Sequence, residues 1–431
     1  MIRRVVAVAV ASVLATSVCG VANAERKLTR RGYVLSRFQL LPTETDVVLY
    51  PLLEVEEFQA FLEGNLDLTL SDDRYTLRSD TSLLYRASPR RCRADSGSPG
   101  CLVINELYGS VDLVADRLSL RVGRHRPSWG SALSFHPVEP MNPAPDVTDP
   151  TFQRLGAWTT ALELASDEHI ATAAWFPKVS HSALGIPAGL EAGLLGARYA
   201  WRPEGLELSG IVFYDLQDRL PLFGASGSTI LGETSFEIHG EALVHQRREI
   251  KTGTLKPGSC PIGSLGIPHR EKWDFTGIFG TRWSRGDGTL VNLEYLHNGD
   301  GMIGDDFDAV LNTADLLTDM CPDGRLEPSD ASENGRPQQL SSTFLRRHYG
   351  IVSAIKPTFA DEGLLANIGA TATVLVGLED GSGAASARVS YTLEQAAILR
   401  FGALVPFGRD RTQYGILPFH GIILFDVQTF F

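Results

Sequence analysis

The last twelve residues, His420–Phe431, read HGIILFDVQTFF and restrict the fold more than any other stretch. Ile423, Phe425, Val427, Thr429 and the terminal Phe431 fall on one face; His420, Asp426 and Gln428 fall on the other among apolar neighbours. Successive side chains of a strand point to opposite faces, so this alternation marks a strand whose two faces meet different solvents. It stops on an aromatic ring. A fold for this chain has to supply strands that close against it.

The upstream sequence supplies them. Phe58–Leu70 is the clearest: Phe58, Ala60, Leu62, Gly64, Leu66, Leu68 and Leu70 share one face, and Gln59, Glu63, Asn65, Asp67 and Thr69 the other, with Phe61 the exception. Ser71-Asp72-Asp73 then turns into a strand near Arg74–Arg86. The same pattern predicts paired strands at Leu102–Val114 and Arg117–Arg126, Ala157–Ala165 and His169–Trp175, Leu190–Trp201 and Leu206–Asp215, and Trp273–Trp283 and Leu290–Asn298. Further strands are predicted at Phe236–Val244, Arg346–Lys356, Leu364–Val376, Ala385–Leu393 and Ala396–Pro406. No amphipathic helix of three turns interrupts them. Strands with one apolar and one polar face, joined by alternately short and long connections, indicate an all-β fold, a transmembrane antiparallel β-barrel. A soluble sandwich or propeller is also all-β but does not readily explain so many strands patterned this way.

Parity sets the strand count. The long connections are 87–101, 127–156, 178–188, 249–272, 299–345 and 407–419. They fall at one end of a barrel only if two weaker segments, Gly32–Leu41 and Leu220–Gly227, are strands as well. Including both gives 18 strands; omitting both gives 16 and places some long loops among the short turns. The expectation is 18, with 16 as the alternative, and the terminal strand ending in the periplasm. Trp158, Trp175, Phe176, Tyr199, Trp201, Trp273 and Trp283 sit near strand ends, where aromatic girdles mark the membrane interfaces.

Residues 1–24 read as a secretory signal peptide: Arg3 and Arg4, an apolar run Val5–Val18, then Ala22-Asn23-Ala24 before Glu25. Residues 25–431 then form a single outer-membrane barrel with long extracellular loops, notably 127–156, 249–272 and 299–345. The net charge of −12 argues against nucleic acid as a partner, which favours a basic stripe. Cys92, Cys101, Cys260 and Cys321, an even number in an exported chain, suggest disulfides, with Cys92–Cys101 and Cys260–Cys321 the expected pairing.

Outer-membrane barrel proteins commonly end on an aromatic residue, as this chain does at Phe431. The stretch Arg121–Pro143, RVGRHRPSWGSALSFHPVEPMNP, holds Gly123-Arg124, Trp129-Gly130 and Met141-Asn142-Pro143. Glu294-Tyr295-Leu296-His297-Asn298-Gly299 and Arg347-His348-Tyr349 follow. Together these resemble a family of Gram-negative outer-membrane β-barrel proteins, with His136-Pro137 standing where that pattern has Asn-Pro. The resemblance implies a bacterial outer-membrane location and a barrel that is porin-like or serves export. It also implies contact with outer-membrane lipid, and recognition of the last strand, ending at Phe431, by the barrel-assembly machinery. It implies no particular substrate.

The polar strand faces predict the lumen. Glu63, Asp67, Glu163, Glu237, Glu241, Glu294 and Asp426 supply its acidic lining, Arg117, Arg121, Arg247 and Arg400 its basic lining, and His125 shares the face of Arg121. A Lys or Arg facing lipid near the midplane costs about 2–4 kcal/mol, so an aqueous interior is the natural place for these charges. Connection 127–156 carries six prolines together with Trp129 and Phe135. A connection this long and stiff is expected to fold into the mouth and narrow the lumen, with Arg124, Trp129 and Asn142 as its constriction residues. Asn298–Asp308, NGDGMIGDDFD, lacks the spacing of a calcium loop and reads as a solvated acidic segment. The histidines are scattered and no Gly-x-Ser-x-Gly, Walker loop or dinucleotide fingerprint occurs, so no catalytic residue, metal or cofactor is expected. The expected function is an outer-membrane channel for passive or facilitated passage of small polar solutes. The alternatives are a non-conducting surface barrel or a component of an export or polysaccharide system, and, third, a barrel enzyme.

Overall fold

The computed structural model describes residues 27–42, 58–86, 100–141, 156–181, 187–232, 234–246, 250–255, 264–267, 273–309, 311–312, 326–327, 344–394, 396–417 and 419–431. Eighteen strands form one sheet. They are β1 (Lys27–Leu40), β2 (Phe58–Ser71), β3 (Tyr75–Arg86), β4 (Gly100–Val114), β5 (Leu118–His125), β6 (Ala157–Ala165), β7 (His169–His181), β8 (Pro187–Trp201) and β9 (Leu206–Asp215). The second half is β10 (Leu220–Ile230), β11 (Phe236–Gln246), β12 (Trp273–Ser284), β13 (Leu290–His297), β14 (His348–Lys356), β15 (Ile368–Gly377), β16 (Gly383–Leu393), β17 (Ala397–Phe407) and β18 (Ile422–Phe430). Each strand pairs antiparallel with its neighbours in sequence, and β1 pairs with β18 from Tyr33↔Phe430 to Leu40↔Ile423, which closes the barrel. The two weak segments are β1 and β10, so the count is 18 and the alternative of 16 falls.

Alternation decides which side of the wall each residue faces. On β18, Ile423 and Phe425 are exposed while Ile422, Leu424 and Asp426 are buried. On β9, Leu208, Val212 and Tyr214 are exposed, and Ser209, Ile211, Phe213 and Asp215 are buried. The outer face therefore carries large apolar side chains strand after strand, among them Leu83, Phe279, Leu293 and Phe401. An apolar belt on a closed barrel is a lipid-facing surface, and closure leaves no strand edge to be desolvated by hydrocarbon. Of the aromatic residues expected in girdles, Tyr199, Trp201 and Trp273 are exposed on this face, but Phe176 is buried on the inner one.

The turns 72–74, 115–117, 166–168, 202–205 and 285–289 lie at one end with the start of β1 and the end of β18. The strand ends that flank connections 87–99, 126–156, 247–272, 298–347 and 408–421 lie at the other. The connections 216–219 and 378–382 are short members of the long-loop end. A separate three-stranded antiparallel sheet, Ile250–Leu255 with Ser264–Ile267 and Leu326–Glu327, joins two of the long connections.

Several strand limits differ from expectation. Leu364–Asn367 is a 3-10 turn, so β15 begins only at Ile368. Arg346 and Arg347 precede β14, Asn298 follows β13, and β7 continues past Trp175 across a register shift between Phe176 and Lys178. Residues 1–24, Cys92, Cys260, Cys321 and Asn142 lie outside the described residues, as does the side chain of Cys101 within β4.

The seam is locked inside as well as along its backbone. Arg37 of β1 and Asp426 of β18 are cross-strand partners, both buried, and the Arg37 Nε donates to Asp426 Oδ1 at 2.7 Å. Removing one member of a buried pair strands the other charge, which costs about 3–5 kcal/mol. Arg37→Ala is accordingly expected to destabilise the barrel by that order, read as a lower urea midpoint for loss of heat-modifiable gel mobility in detergent. Exchange of both residues for apolar ones of similar volume is expected to recover most of the loss.

Candidate functional site: the lumen and its inserted loop

After β5 the chain does not stay outside the barrel. Residues 127–141 run along the inner face of β7–β13, and two side-chain chemistries hold them there. The first is aromatic. Trp129 stacks on Phe213 at 5.2 Å and meets Phe176 edge-on at 5.5 Å. Ile211, Leu222 and Leu243 of the wall and Val138 of the loop complete this buried cluster. Gly196 of β8 makes it possible, since a Cβ there would lie 2.8 Å from the Trp129 ring. The polar strand faces were expected to line the interior; beneath Trp129 and Val138 the inner wall is apolar, because the loop replaces water there as its neighbour.

The second chemistry is carboxylate capture of backbone N–H groups. Glu241 of β11 accepts from the Ala132 amide at 2.6 Å and contacts His136 Nδ1 at 3.1 Å. Glu294 of β13 accepts from the amides of Leu133 at 2.8 Å and Ser134 at 3.1 Å, and from the Ser134 hydroxyl. His239 Nε2 lies 2.9 Å from the same carboxylate. Ser131 Oγ donates to the carbonyls of Gly227 and Gly240, so the loop is stitched by hydrogen bonds to three strands, β10, β11 and β13. Within the loop, Glu139 accepts from the amides of Trp129 at 2.8 Å and Gly130 at 3.2 Å. Gly130 is required by close approach, since any Cβ would overlap the Glu241 carboxylate. The Trp-Gly pair read from sequence is thus an anchor followed by a gap.

Other connections enter the same end of the barrel. Met302, Phe307 and Leu311 are wholly buried, with Arg346 Cζ 3.7 Å above the Phe307 ring. Tyr414 and Ile416 are buried, and Tyr414 joins the inner cluster of Ile278, Leu296, Tyr349 and Ile351. Asp380, in the β15–β16 connection, organises this corner. It accepts from the amides of Ser382 and Gln413, from the Ser382 hydroxyl and from Arg346 Nε at 3.0 Å. Burial would raise its carboxyl, but these donors and the Arg346 charge outweigh burial and hold it below the ordinary carboxylate value. Burial, reinforced by the Asp380 charge, pushes the Tyr414 phenol up.

The sequence-predicted lining residues fall into three groups. Glu241 and Glu294 bind the loop, and Trp129 anchors it. Glu63, Asp67, Glu163, Glu237, Arg121, Arg400, His125 and Asp426 are on the inner wall, mostly in local pairs. Asp67 and Glu106 flank Arg78 at 3.2 and 3.3 Å, Arg282 binds Glu237, and Arg400 donates to Gln428 at 2.5 Å. Glu63 accepts from Tyr33 and Ser82, Thr172 lies 3.5 Å from Glu163, and Arg121 and His125 both lie against the Tyr108 ring. The third group departs from expectation. Arg117 is exposed in the turn 115–117 rather than in a strand, and Arg124 is a residue of β5 rather than of the loop, donating to the Gly156 carbonyl at 2.7 Å. Asn142 and Arg247 lie outside the described residues.

Sequence reading missed Arg37, Glu106 and Glu139 as wall or loop residues. Arg37 was legible, since it alternates with Phe38 on β1. Glu106 was not: the ladder shifts between Asp80 and Thr81, leaving Asn105 as the extra residue of a bulge. Among the described residues no group of three His, Cys, Asp or Glu side chains gathers as a metal site, the acidic segment 298–308 included.

No protein-family model matches this chain, and no curated protein matches its sequence. Its fold is that of several solved barrels. OccK8 (OprE) of Pseudomonas aeruginosa superposes with a TM-score of 0.54 at 9% identity, covering 94% of this chain and 98% of that one. OccAB1 of Acinetobacter baumannii gives 0.55 at 11%, covering 93% and 96%. A BenF-like porin from Pseudomonas fluorescens Pf-5 gives 0.54 at 8%, covering 94% and 98%. At these identities the likeness is one of fold.

Trp129→Ala removes the aromatic anchor, a change that in packed sites costs about 3–5 kcal/mol. Residues 127–141 are expected to become cleavable by added protease while the barrel keeps its heat-modifiable mobility. Asp380 gives a pH dependence of known sign. A carboxyl lowered in the folded state contributes stability in full above its unfolded value, about 3.9, and loses it as pH falls through the folded value. Protease resistance of 408–417 is thus expected to hold at neutral pH and fail only below the ordinary carboxylate range. Asp380→Asn is expected to remove that pH step.

Proposed function

We propose that the chain is an outer-membrane channel for small polar solutes, narrowed from within by residues 127–141. One observation carries this reading. Toward the turn end of the inner wall, Asp67, Arg78, Glu163, Glu207, Glu237, Arg282, Arg388 and Arg400 remain partly exposed, with both signs represented. Ionised groups that are neither lipid-facing nor fully buried need water, and barrels of 16–18 strands are wide enough to hold an aqueous lumen. Carboxylates and guanidinium groups across one lumen select solutes by size and field. The fold shared with a BenF-like porin supports the reading. Phe431, exposed at the turn end, is the terminus available to the barrel-assembly machinery.

A second reading, a non-conducting surface barrel, draws on a different observation. The inserted connections bury Met302, Phe307, Leu311 and Tyr414 at the long-loop end, which fills part of the mouth. Single-channel recording in planar bilayers separates the two. The native chain is expected to conduct, and Glu241→Ala combined with Glu294→Ala, which removes the carboxylates that hold the loop, is expected to give a larger and noisier conductance. A folded barrel that passes no current in either form would sink the channel reading.

A further inference from the structure

We propose a divalent transition-metal site on the outer rim of the barrel, formed by His297 and His348 with Tyr295 beside them. His297 ends β13 and His348 begins β14, and the two are cross-strand partners. Both share the outward parity of Leu293, Tyr295 and Val352, so the site faces away from the lumen at the long-loop end. It is independent of whether the barrel conducts.

The argument begins with donor and acceptor bookkeeping. His297 Nδ1 and His348 Nδ1 lie 3.5 Å apart, and the Tyr295 hydroxyl oxygen lies 2.6 Å from the same His348 Nδ1. A ring nitrogen offers one lone pair or one proton, never both. His348 Nδ1 therefore satisfies one of these neighbours well and leaves the other without a matched partner. A cation between the two imidazole nitrogens satisfies both lone pairs, and the Tyr295 hydroxyl, at hydrogen-bond distance from His348 Nδ1, stands beside the site rather than as a third ligand. The spacing agrees with that chemistry: two nitrogens bound tetrahedrally to one zinc, each at about 2.0–2.1 Å, stand roughly 3.3–3.4 Å apart.

The surroundings hold the rings in place and favour positive charge. Phe275 stacks on His297 at 4.3 Å and Tyr295 on His348 at 6.0 Å, which fixes both ring planes. His297 Nε2 lies 3.9 Å from Asp274 Oδ1, longer than a hydrogen bond but close enough to add negative potential beside the ring. The charged groups nearby are Asp274, Glu379 and Arg347. The Arg347 guanidinium lies 3.7 Å from Asp274, and its backbone amide donates to Glu379. Two carboxylates against one guanidinium leave the cluster suited to a cation rather than an anion. Imidazole donors select zinc, copper or nickel over magnesium or calcium. The residues are 51 positions apart, so no sequence spacing reveals the site; barrel register alone brings them together. An ion bound there would clamp the two ends of connection 298–347.

The test uses the full chain without a polyhistidine tag, stripped with chelator in detergent and titrated with Co²⁺, then with Zn²⁺ in competition. Expected are visible d–d absorption saturating at one equivalent, displacement by Zn²⁺, and slowed hydrogen exchange of the 295–297 and 348–350 amides. His297→Gln and His348→Gln are each expected to weaken binding at least about tenfold, and Tyr295→Phe by a smaller factor. Heat-modifiable mobility checks that each variant is folded. If the native chain gives no Co²⁺ signal, the contact is a plain imidazole hydrogen bond and the proposal is overturned. A signal that survives the double His297→Gln, His348→Gln variant also overturns it.

Discussion

The constraint on which the rest depends is that hydrocarbon offers no hydrogen bonds to a backbone. Every N–H and C=O in the wall must find a partner in the sheet, and a sheet without edges is the solution available to strands. Here the solution is completed between the first strand and the last, where Tyr33–Leu40 pairs with Ile423–Phe430. The outward residues of those strands need only be apolar. The inward ones are free to carry charge, and the Arg37–Asp426 pair uses that freedom at the seam itself. Fold and lumen chemistry follow from the same alternation.

The inserted loop faces a related difficulty on the other side of the wall. Its backbone leaves water without entering a ladder, so its amides need acceptors. Glu241 and Glu294 provide them, and a carboxylate suits the task because two oxygens accept several N–H donors and such charge-assisted bonds are the stronger kind. Trp129 adds what the carboxylates lack, a large apolar contact that fixes one end of the loop by packing. The loop is held by polar bonds on β10, β11 and β13 and by an aromatic anchor on β7–β9.

Much of the wall was legible because alternation is local. Phe58–Leu70 shows both faces to any reader, and the placing of β1 and β10 followed from requiring the long connections to share an end. The losses come where something non-local intervenes. The bulge at Asn105 moves Glu106 to the inner face through a register shift that no single strand announces. Phe213 and Ile211 read as core residues of either face until the loop that covers them is seen. Glu241 and Glu294 read as pore lining, and only the loop amides in front of them show that they bind protein. Arg117 was assigned to a strand that begins one residue later, at Leu118.

The loop also orders events in time. It is encoded between β5 and β6, yet every strand it is stitched to comes later in the chain. It cannot take its final place until β7–β13 stand side by side. Because it occupies the interior, it must be inside when the seam between β1 and β18 shuts, or reach the inside through the open mouth afterwards. A chain that builds its wall from one end thus carries an unplaced segment with an exposed tryptophan through most of assembly, and the last half-turn of the barrel fixes the wall and its contents together.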